Sequence, residues 1–197
     1  IACVSFYANK IITTGEGGMI TTNNKEYADR ARTLKSLAFG AKNKFMHQDI
    51  GYNYRMTNVQ AALGFAQLGK IDFIIGKKIE LAAFYIKELA GVEQLQLPVE
   101  KPYAKNVYWM FNVVLKGKFR GKRKEVMGQL AEVGIETRES FVPYNMQKIF
   151  IEKGLTHKED CPITNEVAEN GFYLPSSPNL SGEERNYIVQ ELTKILK

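Results

Sequence analysis

Residues 5–18 read Ser5-Phe6-Tyr7-Ala8-Asn9-Lys10-Ile11-Ile12-Thr13-Thr14-Gly15-Glu16-Gly17-Gly18. A lysine stands at the end of an apolar, strand-like run, directly before a turn rich in threonine and glycine. An amine held out of water at such a place loses its proton easily and can form a Schiff base with a carbonyl. The pattern alone leaves a second interpretation open, which is an ordinary surface lysine at the end of a strand.

The composition is ordinary for a globular protein and excludes several classes. The chain has 197 residues and a net charge of +6, from 27 basic and 21 acidic side chains. The densest basic run, Lys116–Lys124, has no nucleic-acid-binding motif beside it and is interpreted as a solvated loop. Cys3 and Cys161 stand far apart, which argues against zinc and disulfides and favours a reducing, cytoplasmic location. No metal site is expected, and no apolar run approaches the roughly 20 residues that span a bilayer.

The first part of the chain predicts two short strands and a series of helices. The strands are Ile1–Tyr7 and Met19–Thr22, and a helix follows with Asn23 as its N-cap. Residues 38–55 have no steady periodicity, so a long ordered loop is expected there. Thr57 and Gln60 form a capping box that opens a helical region to about residue 90, kinked or split at residues 69–72.

The second part of the chain alternates strands with helices. Residues 107–115 and 135–142 have strand-like patterns, and the helix predicted over 123–133 lies between them, which gives a β-α-β pattern. Ser181 and Glu184 form another capping box at the start of a final amphipathic helix.

Four segments in order resemble the DegT/DnrJ/EryC1/StrS family of sugar aminotransferases: residues 5–18, 51–58, 107–110 and 135–138. Within the family, the chain most resembles members that aminate nucleotide-linked 4-keto-6-deoxyhexoses, such as perosamine synthases. The resemblance implies an α/β protein of the aspartate-aminotransferase fold type, the fold type I of enzymes that use pyridoxal 5'-phosphate (PLP). Residues 1–68 would form the end of the large mixed-sheet domain that binds PLP, and residues 69–197 the small α+β C-terminal domain.

The resemblance also implies roles for individual residues. Lys10 would be the catalytic lysine that binds PLP covalently, and Ser5 would bind the PLP phosphate. Asn53 would bind the phosphate of the neighbouring subunit's cofactor, with Arg55 supporting the same cluster. His47 and Arg138 would contact the nucleotide-sugar. Four of these residues have a structural alternative: a small buried residue for Ser5, a turn packed by tyrosines for Asn53, a carboxylate pair for Arg55 and a loop hydrogen bond for His47.

The sequence departs from the family at three positions near Arg138. Glu139 stands where proline is usual, Asn145 where histidine is common, and Lys148 where proline is common. Those positions face the substrate in relatives, so the sugar and the nucleotide remain open, as does amination at C3 or at C4.

Three functions are compared. The first is PLP-dependent transamination of a nucleotide-linked 4-keto-6-deoxyhexose, with L-glutamate as amino donor, by a homodimer with shared active sites and no membrane or nucleic-acid partner. The second is a noncatalytic fragment or dimerisation module, because family members have a comparably long segment ahead of the lysine and the chain is expected to be a C-terminal half. The third, a basic nucleic-acid-binding protein, rests on charge alone.

Overall fold

The computed structural model describes residues 1–40, 43 and 45–197. The chain is a mixed α/β protein that divides into two compact units, Ile1–Ile74 and Ile75–Lys197. The domain boundary expected between residues 68 and 69 stays a prediction.

Unit 1 contains a two-stranded antiparallel ladder and two helices. Strand β1 (Ala2–Ser5) pairs with β2 (Gly18–Thr21), and Cys3 lies opposite Ile20. Helices α1 (Lys25–Leu34) and α2 (Asn58–Leu68) follow. Both strands lie where the apolar patterns predict them.

The helix starts of unit 1 are set by side-chain caps. The capping box of Thr57 and Gln60 is confirmed at the start of α2, which ends beside Gly69. Asn23 as the cap of α1 was wrong by one residue. Asn24 is the N-cap, because its Oδ1 accepts a hydrogen bond of 3.1 Å from the Tyr27 amide.

Unit 1 buries very little of itself. Among its described residues only Thr14 and Ala38 are buried, and neither α1 nor α2 has a buried side chain. The ladder and α1 border a cavity of about 710 Å³. Large apolar side chains such as Val4, Met19 and Ile20 are exposed beside it. A two-stranded ladder whose residues are all exposed is marginally stable in water, so this unit leaves apolar surface uncovered.

Unit 2 is built on a four-stranded antiparallel sheet with the strand order β3-β4-β6-β5. The strands are β3 (Leu95–Gln96), β4 (Phe111–Leu115), β5 (Arg138–Glu139) and β6 (Gly171–Leu174). Helix α3 (Ile71–Leu89) contains the boundary between the units. The remaining helices are α4 (Arg123–Glu132), α5 (Lys148–Glu152), α6 (Pro162–Asn170) and α7 (Gly182–Ile195), and the Ser181–Glu184 capping box of α7 is confirmed.

The order β4, α4, β5 along the chain confirms the expected β-α-β pattern, and the sheet adds a strand within it. Strands β4 and β5 are not neighbours, because β6 lies between them and pairs antiparallel with both. The strand predicted over 107–115 begins only at Phe111, since Tyr108 has a positive φ of 48° that interrupts an extended backbone. The strand predicted over 135–142 shortens to Arg138 and Glu139.

The hydrophobic core of the described chain lies in unit 2. Its largest fully buried side chains are aromatic or branched, and include Tyr85, Phe111, Phe172 and Leu192. Along β6, Phe172 and Leu174 are buried while Tyr173 is only half-buried, as expected for alternate residues on opposite faces of a sheet. No described helix is long and apolar enough to cross a membrane.

A lysine is buried beside this core. Lys78 on α3 is 6% exposed, and its ammonium donates to the carbonyl oxygens of Trp109 and Ser176 and to the Ser176 hydroxyl. None of these three acceptors is a carboxylate. Burial lowers the pKa of Lys78 to about 8, because the charged form is poorly solvated there. Lys78 therefore joins the segments before β4 and after β6.

The lowered pKa predicts a stability change with pH. Between a folded pKa of about 8 and an unfolded value near 10.5, the unfolded chain binds more protons at Lys78 than the folded chain does. The free energy of unfolding should therefore rise with pH, by about 2 kcal/mol between about pH 7.5 and about pH 9.5. Urea titrations of the wild type and of Lys78→Met across this range measure the effect. The wild type should gain stability relative to the variant as pH rises, and a constant difference would contradict the prediction.

Candidate active site

Lys10 lies on the connection between the two strands of unit 1, and this connection is closed by backbone hydrogen bonds. The Phe6 amide donates to the Gly17 carbonyl at 2.9 Å, and the Thr14 amide donates to the Phe6 carbonyl at 3.0 Å. The Lys10 amide donates to the Tyr7 carbonyl at 2.9 Å, and Lys10 is half-buried. The lysine is therefore carried on an ordered turn at the end of β1.

A glutamine on α2 holds this turn through two hydrogen bonds. The Thr13 amide donates to Gln67 Oε1 at 3.0 Å, and Gln67 Nε2 donates to the Thr13 carbonyl at 2.7 Å. Gln60 Nε2 adds a bond of 3.2 Å to the Glu16 carbonyl. The sequence analysis missed Gln67 because a glutamine on a helix face carries no local signal of a partner 54 residues away.

The glycines of the turn are required by close packing. Gly17 has a φ of 147°, and a Cβ there would lie 2.6 Å from Thr14 Oγ1 and 2.8 Å from Met56 Cε. A Cβ at Gly64 would lie 2.9 Å from Thr14 Cγ2. Thr14 is thus buried between two glycines where an added Cβ would press on its side chain, and at Gly17 the φ also favours glycine, so the turn lies close to α2.

Ser5 ends β1, five residues before Lys10. Its Oγ accepts a hydrogen bond of 3.3 Å from the Tyr7 amide, which leaves the hydroxyl hydrogen able to donate to an anion. The alternative of a small buried residue is wrong, because Ser5 is exposed. Ser5 and Lys10 are therefore at the same end of the strand.

Asn53 lies on the long loop, which is ordered in the part that the structure describes. The loop turns back along its own start, so that Asn53 forms an antiparallel bridge with Ser36. The rings of Tyr52 and Tyr54 stack with their centroids 5.1 Å apart and their planes 9° apart. Asn53 itself is exposed, as a residue that contacts a ligand must be.

His47 lies on the same loop and uses one ring nitrogen within it. Its Nδ1 is 2.6 Å from the Leu37 carbonyl oxygen, and its ring centroid is 5.2 Å from that of Phe39. The loop hydrogen bond that the sequence left open is therefore present. An ion pair between Arg30 and Asp49, with a hydrogen bond from Arg30, lowers the pKa of the Asp49 carboxyl.

The two arginines predicted for binding lie in different environments. Arg55 is exposed, and none of the ion pairs between described residues involves it, which leaves its guanidinium open to an anion. Arg138 lies on β5 opposite Tyr173. Its guanidinium Nη2 is 3.5 Å from Glu136 Oε1, and 72% of its side chain is exposed. A pair so exposed stabilises the fold little, so this guanidinium is also accessible.

The structure corrects one position that the resemblance places toward substrate. Asn145 is buried, and its Nδ2 donates to the Lys158 carbonyl at 2.9 Å and to Asn165 Oδ1 at 2.7 Å. These bonds join the turn at residues 144–146 to the start of α6. Asn145 is therefore a structural residue of unit 2 in this chain.

Comparison with known proteins decides the family. The family model described as the DegT/DnrJ/EryC1/StrS aminotransferase family matches residues 1–193. The chain belongs to this family. Its members are PLP enzymes, so the cofactor expectation is confirmed at the level of the family. Among the described residues, no group of three His, Cys, Asp or Glu side chains could hold a metal ion.

Two similar relatives are GDP-perosamine synthases. That of Escherichia coli O157:H7 is 37% identical over 98% of this chain and 51% of its own length. That of Vibrio cholerae is 34% identical over all of this chain and 52% of its own length. The chain spans about half the length of the curated relatives that it matches.

Solved structures confirm the expected fold type. DesV of S. venezuelae superposes with a TM-score of 0.88 at 27% identity, and covers all of this chain and 51% of its own. PseC, an aminotransferase of Helicobacter pylori involved in the biosynthesis of pseudoaminic acid, superposes with a TM-score of 0.87 at 25% identity, over 98% of this chain and 52% of its own.

Proposed function

We propose that this chain carries the catalytic lysine of a PLP-dependent aminotransferase that acts on a nucleotide-linked 4-keto-6-deoxyhexose, with L-glutamate as the amino donor. The observation that supports it most is the half-buried Lys10 on the ordered turn that follows the exposed Ser5. Family membership and the names of the two GDP-perosamine synthases support the reaction class and the kind of substrate.

The residues fit the cofactor chemically. PLP carries an aldehyde and a phosphate, and unit 1 offers the primary amine of Lys10 for the first and the hydroxyl of Ser5 for the second. The amide of Asn53 and the guanidinium of Arg55 would bind the phosphate of the cofactor in the neighbouring subunit. At Gly17 the turn is packed so closely that there is no room for a side chain. When bound, PLP supplies an electron sink that stabilises negative charge at the reacting carbon.

The proposed role of Lys10 is to hold the cofactor covalently and then to transfer a proton. Its Nζ would hold the cofactor through the aldehyde, with loss of water, and would become a free amine when the amino donor replaces it. As a base on Nζ, that amine would accept the proton that leaves the donor's α-carbon. Gln67 and Gly17 hold the turn that carries this amine in one conformation, so the amine is positioned before it reacts.

Substrate contacts are assigned to His47 and Arg138. The Nδ1 of His47 is occupied by the Leu37 carbonyl, so Nε2 is the atom left for a sugar hydroxyl or a phosphate oxygen. Arg138 would bind a phosphate of the nucleotide through its exposed guanidinium. Assembly as a homodimer with shared active sites, the amino donor and a cytoplasmic location belong to this proposal as well.

The test is reductive trapping of the cofactor on the protein. The protein is incubated with PLP, reduced with borohydride and digested, and the peptides are examined by mass spectrometry. The pyridoxyl mass should be found on the peptide that contains Lys10. Reduction that leaves Lys10 unlabelled, or that labels exposed lysines such as Lys25 and Lys124 equally, would overturn the assignment.

A second candidate, a noncatalytic dimerisation module, is favoured by one observation. Unit 1 buries only two of its described residues and exposes apolar side chains on the β1–β2 ladder. A second copy of the chain that covers this ladder would bury those apolar side chains, and this role requires no catalysis. A defined dimer in light scattering that takes no label at Lys10 would favour this module over the enzyme.

A further inference from the structure

The loop that carries Asn53 contains a backbone corner in an uncommon conformation. Leu37 and Ala38 have positive φ values of 62° and 51°, although neither is a glycine. Two consecutive L-residues rarely adopt the left-handed region, because the Cβ atom is crowded there. Ala38 is fully buried, so the corner is an internal part of the loop. Such a conformation persists only where its surroundings hold it.

Gly51 is the first residue that holds the corner. A Cβ at this position would lie 2.3 Å from the Ala38 nitrogen and 2.3 Å from the Leu37 carbonyl carbon. No side chain can occupy that space, since both atoms belong to backbone. The return strand of the loop therefore lies directly against the corner only because residue 51 is a glycine.

His47 is the second residue that holds the corner. Its Nδ1 donates to the Leu37 carbonyl oxygen over 2.6 Å, because a carbonyl can only accept. The bridge between Phe39 and His47 places the two residues opposite each other just beyond the corner. The backbone of Ala38 adds two bonds, from its amide to the Thr33 carbonyl and from the Gln48 amide to its carbonyl.

The corner leads directly to the pairing that sets Asn53. The Leu37 amide donates to the Tyr52 carbonyl at 3.0 Å, and the Tyr54 amide donates to the Lys35 carbonyl at 3.0 Å. Asn53 lies between these bonds and opposite Ser36. Because alternate residues of an extended segment point to opposite faces, the stacked Tyr52 and Tyr54 leave Asn53 on the other face. A shift of one residue in this pairing would exchange those faces.

We propose that His47 and Gly51 are positioning residues, which hold the left-handed corner at Leu37 and Ala38 and thereby set the register in which Asn53 is presented to a phosphate. The inference rests on the proposed function for the role of Asn53. It gives His47 a task within the loop that does not require contact with the substrate.

The test uses matched substitutions in the whole chain. Gly51→Ala places a methyl group against the corner, whereas Gly76→Ala is its control, because a Cβ at Gly76 has no atom within 4 Å. His47→Ala removes the donor to Leu37, whereas His47→Asn keeps an N–H at a similar reach. Asn53→Ala removes the amide itself and serves as the reference for the loss of phosphate binding.

Two measurements separate the corner from general instability. Amide hydrogen exchange reports the bonds of Leu37, Tyr52 and Tyr54, and should accelerate about tenfold or more in Gly51→Ala and in His47→Ala. Dissociation constants for PLP and for pyridoxal, which lacks the phosphate, report the binding of the phosphate alone. The ratio of these constants should shift about tenfold against PLP in the same two variants and in Asn53→Ala, with His47→Asn and Gly76→Ala close to the wild type.

The outcomes distinguish this inference from the proposed function. Unchanged exchange in Gly51→Ala and His47→Ala would overturn the inference, because the corner would then not depend on them. Equal weakening of PLP and pyridoxal would overturn it as well, since that result indicates general damage. A normal ratio in Asn53→Ala would instead overturn the proposed role of Asn53, even where the exchange data show that the corner has opened.

Discussion

Replacing Lys10 with alanine should abolish covalent incorporation of PLP into the peptide that spans residues 5–18. The reason is chemical, because reversible attachment to an aldehyde requires a primary amine and no other side chain of the Lys10 turn has one. The visible absorbance that develops when PLP is added to the wild type should be absent from Lys10→Ala. Borohydride reduction of that variant should leave no pyridoxyl mass on the peptide spanning residues 5–18.

Two controls separate covalent attachment from charge. Lys10→Arg keeps the positive charge, but its guanidinium stays protonated in proteins and is not nucleophilic, so it should behave like the alanine variant. Lys70→Ala removes a lysine from the same unit and should retain the wild-type absorbance. A normal spectrum for Lys10→Arg would contradict the prediction, because the amine would then not be the group that reacts.

Phe172→Ala should give a large loss of stability. Phe172 is 0% exposed and lies on β6, the strand that pairs with both β4 and β5. Removing a buried phenyl ring loses its transfer free energy and leaves a cavity, which together cost about 3–5 kcal/mol. Urea unfolding followed by circular dichroism measures the loss as a lower midpoint at an unchanged slope.

An exposed aromatic residue of the same unit provides the control. Tyr103 is 88% exposed, so Tyr103→Ala should change the free energy of unfolding by less than about 0.5 kcal/mol. A loss below about 1 kcal/mol in Phe172→Ala would show that the ring is not part of a close-packed core. The same loss in both variants would show that the loss does not depend on the burial of the ring.

Local signals in the sequence predicted local structure well. The capping boxes at Thr57 and at Ser181 were found because cap and partner are three residues apart, and the break between α2 and α3 follows from Gly69. The cap of α1 was misplaced because Asn23 and Asn24 are adjacent and chemically alike. Only the bond to Tyr27 distinguishes them.

Features that depend on distant partners were not predictable. Strand β6 has four residues and was missed, since its extended form comes from pairing with Asn112 and Val113, more than 50 residues earlier. The hydrogen bonds between Gln67 and Thr13 were missed for the same reason, because the two residues are 54 residues apart. Lys10 could be selected from its local pattern and from the family resemblance, and Ser5 from the resemblance alone, whereas the corner at Leu37 requires coordinates to be seen.

The position of β6 in the sheet has a consequence for how the protein is made. Strand β6 is the last of the described strands along the chain, yet it separates β4 from β5. On the ribosome, where domains fold as the chain emerges, β4 and β5 are without their shared neighbour until residues 171–174 have been made. Until then, the backbone groups of β4 and β5 that pair with β6 are unpaired and can pair with strands of other nascent chains. Misassembly is therefore expected at this stage of synthesis.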